Sequence, residues 1–376
     1  MSDSAPDPDA PQGPSRGAGL LRWVIVLASA VAASVLLALV GAPSPVLFGA
    51  LLGSLLVAIS PLEPPVFPMW ASRLGQGLLG VSTGAAIDPQ TLAGFTAHAG
   101  PVVVSVVSTI VVSIVLGQIL RLRGVSPATA TFSFIAGGAS GVTSVAGELG
   151  ADDRVVAVVQ YLRVLVILVG MPVVAALVFG AEIGGATRTS LTGSLVGSAD
   201  LPWPQLVFTA ICLVVGLPLA HVVRIPAGSL LAPLAVAAIL AVTGWATPWL
   251  GPDAVHLPGP LEAAAFAIIG LQVGLRFTRA SLRQVARLLP LAIFVILLLI
   301  AVSAGIGMVL ADAMGLTPLD GYLATTPGGL YAVLLTASMA GGDVTFVLAV
   351  QVVRLVLVLA AAPLLAGFYR RRPERR

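Results

Sequence analysis

Charge is what this sequence has least of. Only 9% of its 376 residues are charged, and lysine is missing altogether: all nineteen basic residues are Arg. A soluble globular domain carries about 25% charged residues, so a water-facing surface cannot be made from this composition. The solvent over most of the chain must be lipid. Cysteine is almost absent too. Cys212 stands alone, which excludes a disulfide framework and any CxxC metal or redox motif. The three histidines, His98, His221 and His256, are scattered and fit interfacial positions better than a metal centre. No metal, cofactor or catalytic group is expected. The net charge of +3 comes from Arg at helix ends, where membrane topology alone requires it, and gives no reason to expect nucleic acid as a partner.

What is abundant is apolar sequence, 58% of the chain with a mean hydropathy of +1.05. Lipid offers backbone groups no hydrogen-bond partners, so spanning segments must be helices or closed barrels. Barrel strands are about ten residues long and alternate in polarity; runs such as 99–120 and 288–311 are longer and continuous, so helices are expected. Residues 1–20, rich in Pro, Asp and Ser at their start, read as a disordered tail. A first membrane repeat is expected over 21–180, a Gly-, Ser- and Thr-rich linker over 181–202, a second repeat over 203–369, and a basic tail over 370–376.

The repeat is legible directly. Shifted by 191 positions, residues 124–172 align without a gap on 315–363. Gly124, Pro127, Gly137, Gly138, Gly150, Asp152, Gln160, Arg163 and Pro172 fall on Gly315, Pro318, Gly328, Gly329, Gly341, Asp343, Gln351, Arg354 and Pro363. Chance similarity between apolar sequences matches Val, Leu and Ala; it does not match Gly-Gly, Asp, Gln, Arg and Pro in one register. At a shift of 190, Gly80 and Gly84 fall on Gly270 and Gly274, small-xxx-small patterns that indicate close helix packing.

Arg placement sets the expected topology, because cytoplasmic loops carry the excess. The basic clusters are Arg16 and Arg22, Arg121 and Arg123, Arg276, Arg279, Arg283 and Arg287, and the C-terminal tail. If segments 127–149 and 318–340 both cross the membrane, the 276–287 cluster lands outside. If both are re-entrant, every cluster lands inside, with the termini, and the halves insert in opposite orientations, a transporter architecture. Gly137-Gly138-Ala139-Ser140-Gly141 interrupts the first segment, and Thr325-Thr326-Pro327-Gly328-Gly329 the second. Gly costs about 1 kcal/mol and Pro about 3 in a helix interior, so each segment reads as two half-helices meeting near mid-membrane. The alternative is a kinked helix packed through its glycines. The expected fold is an all-α integral membrane protein with two inverted-topology helical repeats, about ten transmembrane helices and two broken or re-entrant segments.

Arg163 and Arg354 lie eleven residues beyond Asp152 and Asp343, which suit the N-caps of their helices. At about 1.5 Å per residue the arginines sit roughly 16 Å deep, mid-way through a core about 30 Å thick. Gln160 and Gln351 lie three residues earlier on the same faces. A central Arg costs about 2.5–3.5 kcal/mol on insertion scales. Two readings answer that cost: each Arg ties down carbonyls freed by the broken segment, or the pair binds an anion, aided by half-helix N-termini. The four arginines at 276–287 read as an interfacial stripe against anionic lipid headgroups.

The duplicated stretches AGGASGVTSVAGELGADDRVVAVVQYLRVLVILVGMP and TPGGLYAVLLTASMAGGDVTFVLAVQVVRLVLVLAAAP resemble the membrane-embedded AbrB family, and the resemblance covers nearly all of the chain after residue 20. It implies a duplicated membrane protein of ten or so helices, distinct from the small soluble DNA-binding AbrB regulators. Many members carry a Ser-Glu-Met-like tripeptide after the glycine pair; here Ser140-Gly141-Val142 and Tyr331-Ala332-Val333 stand instead, which removes an acidic site candidate. The family label ammonia monooxygenase requires copper or iron, which three dispersed His and one Cys do not hold. The expected function is a secondary transporter of a small organic anion in the bacterial inner membrane, with Arg163, Arg354, Gln160, Gln351, Gly137, Gly138, Ser140, Thr326, Gly328, Gly329 and Tyr331 as site residues. The alternative is a non-transporting membrane regulator acting indirectly on gene expression. The partners expected are the solute, membrane lipid and a second copy in a homo-oligomer. The topology has a direct test. An impermeant thiol reagent applied from outside is expected to label Asp253→Cys and spare Ser281→Cys; labelling at 281 overturns the re-entrant arrangement.

Overall fold

The computed structural model describes residues 16–39, 44–62, 64–87, 99–135, 151–181, 203–223, 227–245, 247–251, 254–328 and 330–370, and all elements among them are helical. In the first repeat these are α1 (Arg16–Leu39), α2 (Pro45–Ile59), α3 (Met69–Ala85), α4 (Ala99–Gly117, continued as a 3-10 helix to Arg123), α5 (Pro127–Phe134) and α6 (Asp153–Phe179). The second repeat has α7 (Trp203–Val223), α8 (Gly228–Thr243), the short α9 (Thr247–Leu250), α10 (Gly259–Gly274), the short α11 (Arg279–Gln284), α12 (Leu289–Met314), α13 (Pro318–Thr325), α14 (Leu330–Ala340) and α15 (Val344–Arg370). Five stretches are long and apolar enough to cross a membrane: 19–39, 99–123, 154–179, 203–223 and 289–314. The first helix begins at Arg16, inside the stretch expected as tail, and Gly137, Gly138, Ser140 and Gly329 lie outside the described residues.

The repeat extends to element boundaries. At the shift of 191, α5 falls on α13 and α6 on α15, residue for residue. Their starts share a cause. Ser126 and Thr317 are the N-caps, each side chain accepting from a backbone N–H three residues on, with Pro at the first helical position. The ends share one as well: Ile135 and Thr326 are extended. For Thr326 the following Pro327 disfavours the helical conformation.

In the second repeat the half-helix α13 is the first leg of a hairpin, and in both repeats the next long helix starts beside the start of the half-helix. The backbone N–H of Asp343 donates to Asp320 Oδ1 at 2.7 Å, and that of Asp152 to Thr129 Oγ1 at 2.9 Å. The chain therefore comes back to the mouth of α13 before α15 starts, and to the mouth of α5 before α6 starts. In the second repeat the return leg is α14. The mouths open at opposite ends of the molecule. Arg123, just before α5, donates to the Arg287 carbonyl at 3.4 Å. The 26-residue α12 then runs from beside Arg287 to Gly315, just before α13, a distance of about 39 Å at 1.5 Å per residue.

The glycine pairs set a second layer of packing, and it crosses between repeats. A methyl group on Gly80 would lie 2.3 Å from the Leu230 carbonyl oxygen, and one on Gly84 2.2 Å from that of Leu234. On Gly270 it would lie 2.4 Å from the Leu47 carbonyl oxygen, and on Gly274 2.1 Å from Ser54 Oγ. Residue numbers rise together in both pairs, so α3 runs parallel to α8, and α10 parallel to α2. Between α3 and α10 the order reverses: Ser72 donates to Gln272 Oε1 at 2.8 Å and Ser82 to Glu262 Oε1 at 3.4 Å. These equivalent helices are antiparallel. The helices α1, α2, α3, α7, α8 and α10 form one body, and α4, α5, α6, α12, α13, α14 and α15 another. The main contacts between them are α14 on α3 and α10 on α6.

The arginines at 276–287 do not form one helical stripe. Arg276 follows α10, with its guanidinium 5.1 Å over the Tyr161 ring and bonded to the Tyr161 hydroxyl at 3.0 Å. A Thr278–Ser281 capping box then starts the short α11, and a turn follows it. The cap resets the helix, so the regular spacing in the sequence is not a regular spacing in space.

Close packing at the glycines predicts unequal costs. Gly84→Ala is expected to lower stability by roughly 1–3 kcal/mol through overpacking, read as thermal unfolding in detergent. Gly170→Ala, in a helix where an added methyl meets nothing within 4 Å, is expected to leave the melting temperature unchanged or higher.

Candidate functional site

A half-helix ending in the interior leaves its last carbonyls without intrahelical donors. In this chain the donors come from the helix that follows. Gln160 Nε2 donates to the Phe132 carbonyl at 2.7 Å, and Arg163 Nη1 to that of Phe134 at 2.7 Å. In the second repeat Gln351 Nε2 donates to the Ala324 carbonyl at 2.9 Å and Arg354 Nη1 to that of Thr326 at 2.9 Å. Arg354 Nη2 also donates to Gln351 Oε1, which orients the amide. All four side chains are buried. Long side chains on a helix lean towards its N-terminus, so residues on α6 and α15 reach back to the ends of α5 and α13.

The sign of the nearest helix ends differs from the sequence expectation. The helices that meet the arginines, α5 and α13, are first legs and present C-termini, the negative ends, to the guanidinium groups. A cation at a helix C-terminus is favourable, which offsets part of the cost of burying it. Only a return leg puts an N-terminus at the tip, as α14 does.

Residues at the ends of α5 and α13 border one crevice. A methyl group on Gly328 would lie 2.5 Å from Ile167 Cγ2, on the first repeat's α6 one turn beyond Arg163. Ile135 at the end of α5 and Pro327 after α13 share a crevice with Thr109, Ile110, Ser113 and Arg354. It is too narrow to admit water, so a ligand could enter only if the tips parted.

Of the expected site residues, Gln160, Arg163, Gln351, Arg354, Thr326 and Gly328 gather at the tips. Tyr331 is in the first turn of α14. Asp152 and Asp343 are N-caps: Asp152 accepts from the N–H groups of Arg154 and Val155, and Asp343 from that of Phe346 at 2.9 Å. The sequence reading missed Thr129 and Asp320, the acceptors that close the hairpin mouths. They align at the shift of 191 but are not identical, and only their shared ability to accept a hydrogen bond signals the role. It also missed Thr109 and Ser113, hydroxyl groups inside an apolar helix.

Comparison with known proteins agrees in extent. The family described as Transition state regulatory protein AbrB matches residues 47–370. The chain is similar to the putative regulator AbrB of Escherichia coli strain K12, 26% identical over 350 residues, covering 93% of this chain and 97% of that protein. It is also similar to the uncharacterized protein YhjN of Bacillus subtilis strain 168, 26% identical over 373 residues and covering 93% of each.

The carbonyl clamps carry a testable cost. Gln351→Leu keeps the volume and removes the donor to the Ala324 carbonyl. It is expected to destabilise the protein by about 1–3 kcal/mol, the penalty for a buried acceptor left unsatisfied. Thermal melting in detergent measures it, and an unchanged midpoint would mean that the carbonyl has another donor.

Proposed function

The chain belongs to the membrane AbrB family, and on that premise we propose that it is a secondary transporter-like protein of the bacterial inner membrane that moves a small organic anion through the site at the hairpin tips. The reading takes five crossings in each repeat, about ten in all, with the repeats inverted and both termini cytoplasmic. The helix directions support it. From α3 the chain passes through α4, α6 and α7 before α8; if the segment between α4 and α6 crossed the membrane, α8 would run against α3 rather than parallel to it. The antiparallel packing of the equivalent helices α3 and α10 fits an axis in the membrane plane. Contact of Arg123 with Arg287 fits two basic clusters on one face.

The observation that carries the function is the buried guanidinium of Arg354, which lines a crevice with Thr109 and Ser113 between Ile135 at the end of α5 and Pro327 after α13. Arg has several donors in a planar fork, and the backbone clamps use only part of that capacity. What remains, beside the N-terminal end of α14, suits a carboxylate. The name of the Escherichia coli relative favours a second reading, a membrane regulator that influences gene expression indirectly.

Reconstitution tests the first reading. Purified protein in proteoliposomes is expected to take up at least one of a panel of isotopically labelled small carboxylates in a saturable way. Arg354→Gln should reduce that uptake by more than about tenfold, the loss of a charge-assisted contact, and Arg354→Lys should restore part of it. Full uptake by Arg354→Gln rejects the binding role.

A further inference from the structure

The two arginines occupy equivalent places in the repeat, but their surroundings are not equivalent. Among the described residues the crevice is lined by Thr109, Ile110, Ser113, Ile135, Pro327 and Arg354; Arg163 is not among them. The asymmetry comes from α4. Thr109 and Ser113 lie one turn apart on its buried face, and the shift of 191 puts the apolar Ile300 and Ala304 at the matching places on α12. Two hydroxyl groups of α4 therefore share the crevice with Arg354, and the two matching places on α12 carry none.

We propose that Arg354 is the substrate-binding arginine and Arg163 a structural one, and that Thr109 and Ser113 select a small hydroxycarboxylate. The proposal rests on the transport reading above and narrows its substrate. Two N–H groups of Arg354 are committed, to the Thr326 carbonyl and to Gln351 Oε1, which leaves further donors on the same fork for a carboxylate. The Thr109 hydroxyl donates its proton to the Val106 carbonyl at 2.8 Å. Its oxygen is left as an acceptor. A carboxylate oxygen there would meet a lone pair, whereas an alcohol O–H would be accepted. An ammonium group would call for an acidic partner, and none lines the crevice among the described residues. Ile110, Ile135 and Pro327 enclose a short carbon body between the two polar ends.

The test compares acids that differ by one hydroxyl group: lactate with propionate, and malate with succinate. Binding is read from stabilisation of the purified full-length protein, and flux from proteoliposomes. The wild-type protein is expected to prefer the hydroxylated member of one pair by at least about tenfold, as sites built around a substrate hydroxyl do. Thr109→Val combined with Ser113→Ala should abolish the preference while leaving the plain acid bound about as before. Arg354→Lys should weaken both members together. Arg163→Lys should lower the melting temperature and leave the preference intact. Equal binding of both acids by the wild-type protein, or a preference that survives in the double hydroxyl variant, overturns the assignment while leaving carboxylate transport standing. Loss of the preference in Arg163→Lys overturns the division between the arginines. Uptake of no carboxylate, hydroxylated or plain, overturns the transport reading and this proposal with it.

Discussion

A carbonyl group at the end of a helix that stops inside a hydrophobic slab has no water to bond with, and leaving it bare costs several kcal/mol. That requirement organises the interior of this protein. Two helices end early, at Phe134 and Thr325, and each end is met by a Gln and an Arg from the next long helix. The donors sit at i and i+3 so that both point at one helix end. Asp152 and Asp343 fix where the donor helices begin, and with them the depth of the donors. The N–H groups of those aspartates bond to Thr129 and Asp320, which ties the depth of each donor helix to the half-helix it serves.

The same economy governs charge. A buried guanidinium is expensive, and a buried helix C-terminus carries a partial negative charge without solvent to screen it. Setting one against the other lets each reduce the cost of the other. A lysine would bring a single charged point to the same place. The planar fork of Arg354 reaches a carbonyl and an amide at once and still has N–H groups to spare.

Much of this was legible in the sequence because it was written twice. Asp, Gln and Arg at matching positions in apolar surroundings marked the donor helices and their depth, and the Gly and Pro interruptions marked where the first legs stop. What could not be read was the other half of each interaction. Carbonyls freed by the broken segments were expected as partners of the arginines, but backbone carbonyls have no residue code, so the particular acceptors of Gln160 and Arg163 could not be named, nor the polarity of the helix ends. Gly80 and Gly270 announced close approach without naming a neighbour, and the neighbours lie in the opposite repeat. Thr109 and Ser113 were lost in an apolar run because a helix can satisfy a hydroxyl with its own preceding carbonyl, as Thr109 does.

The exchange of neighbours between the repeats has a consequence for how the chain is made. The glycine face of α3 fits α8, and α2 fits the glycine face of α10, so the first repeat leaves the ribosome before either partner has been synthesised. Until then its glycine-lined grooves are exposed to lipid, where helices associate through close packing and not through any hydrophobic drive. The first repeat is thus an unfinished structure while the second is being translated. Final assembly is a late, post-insertion event that joins helices distant in the sequence, not the successive folding of two independent halves.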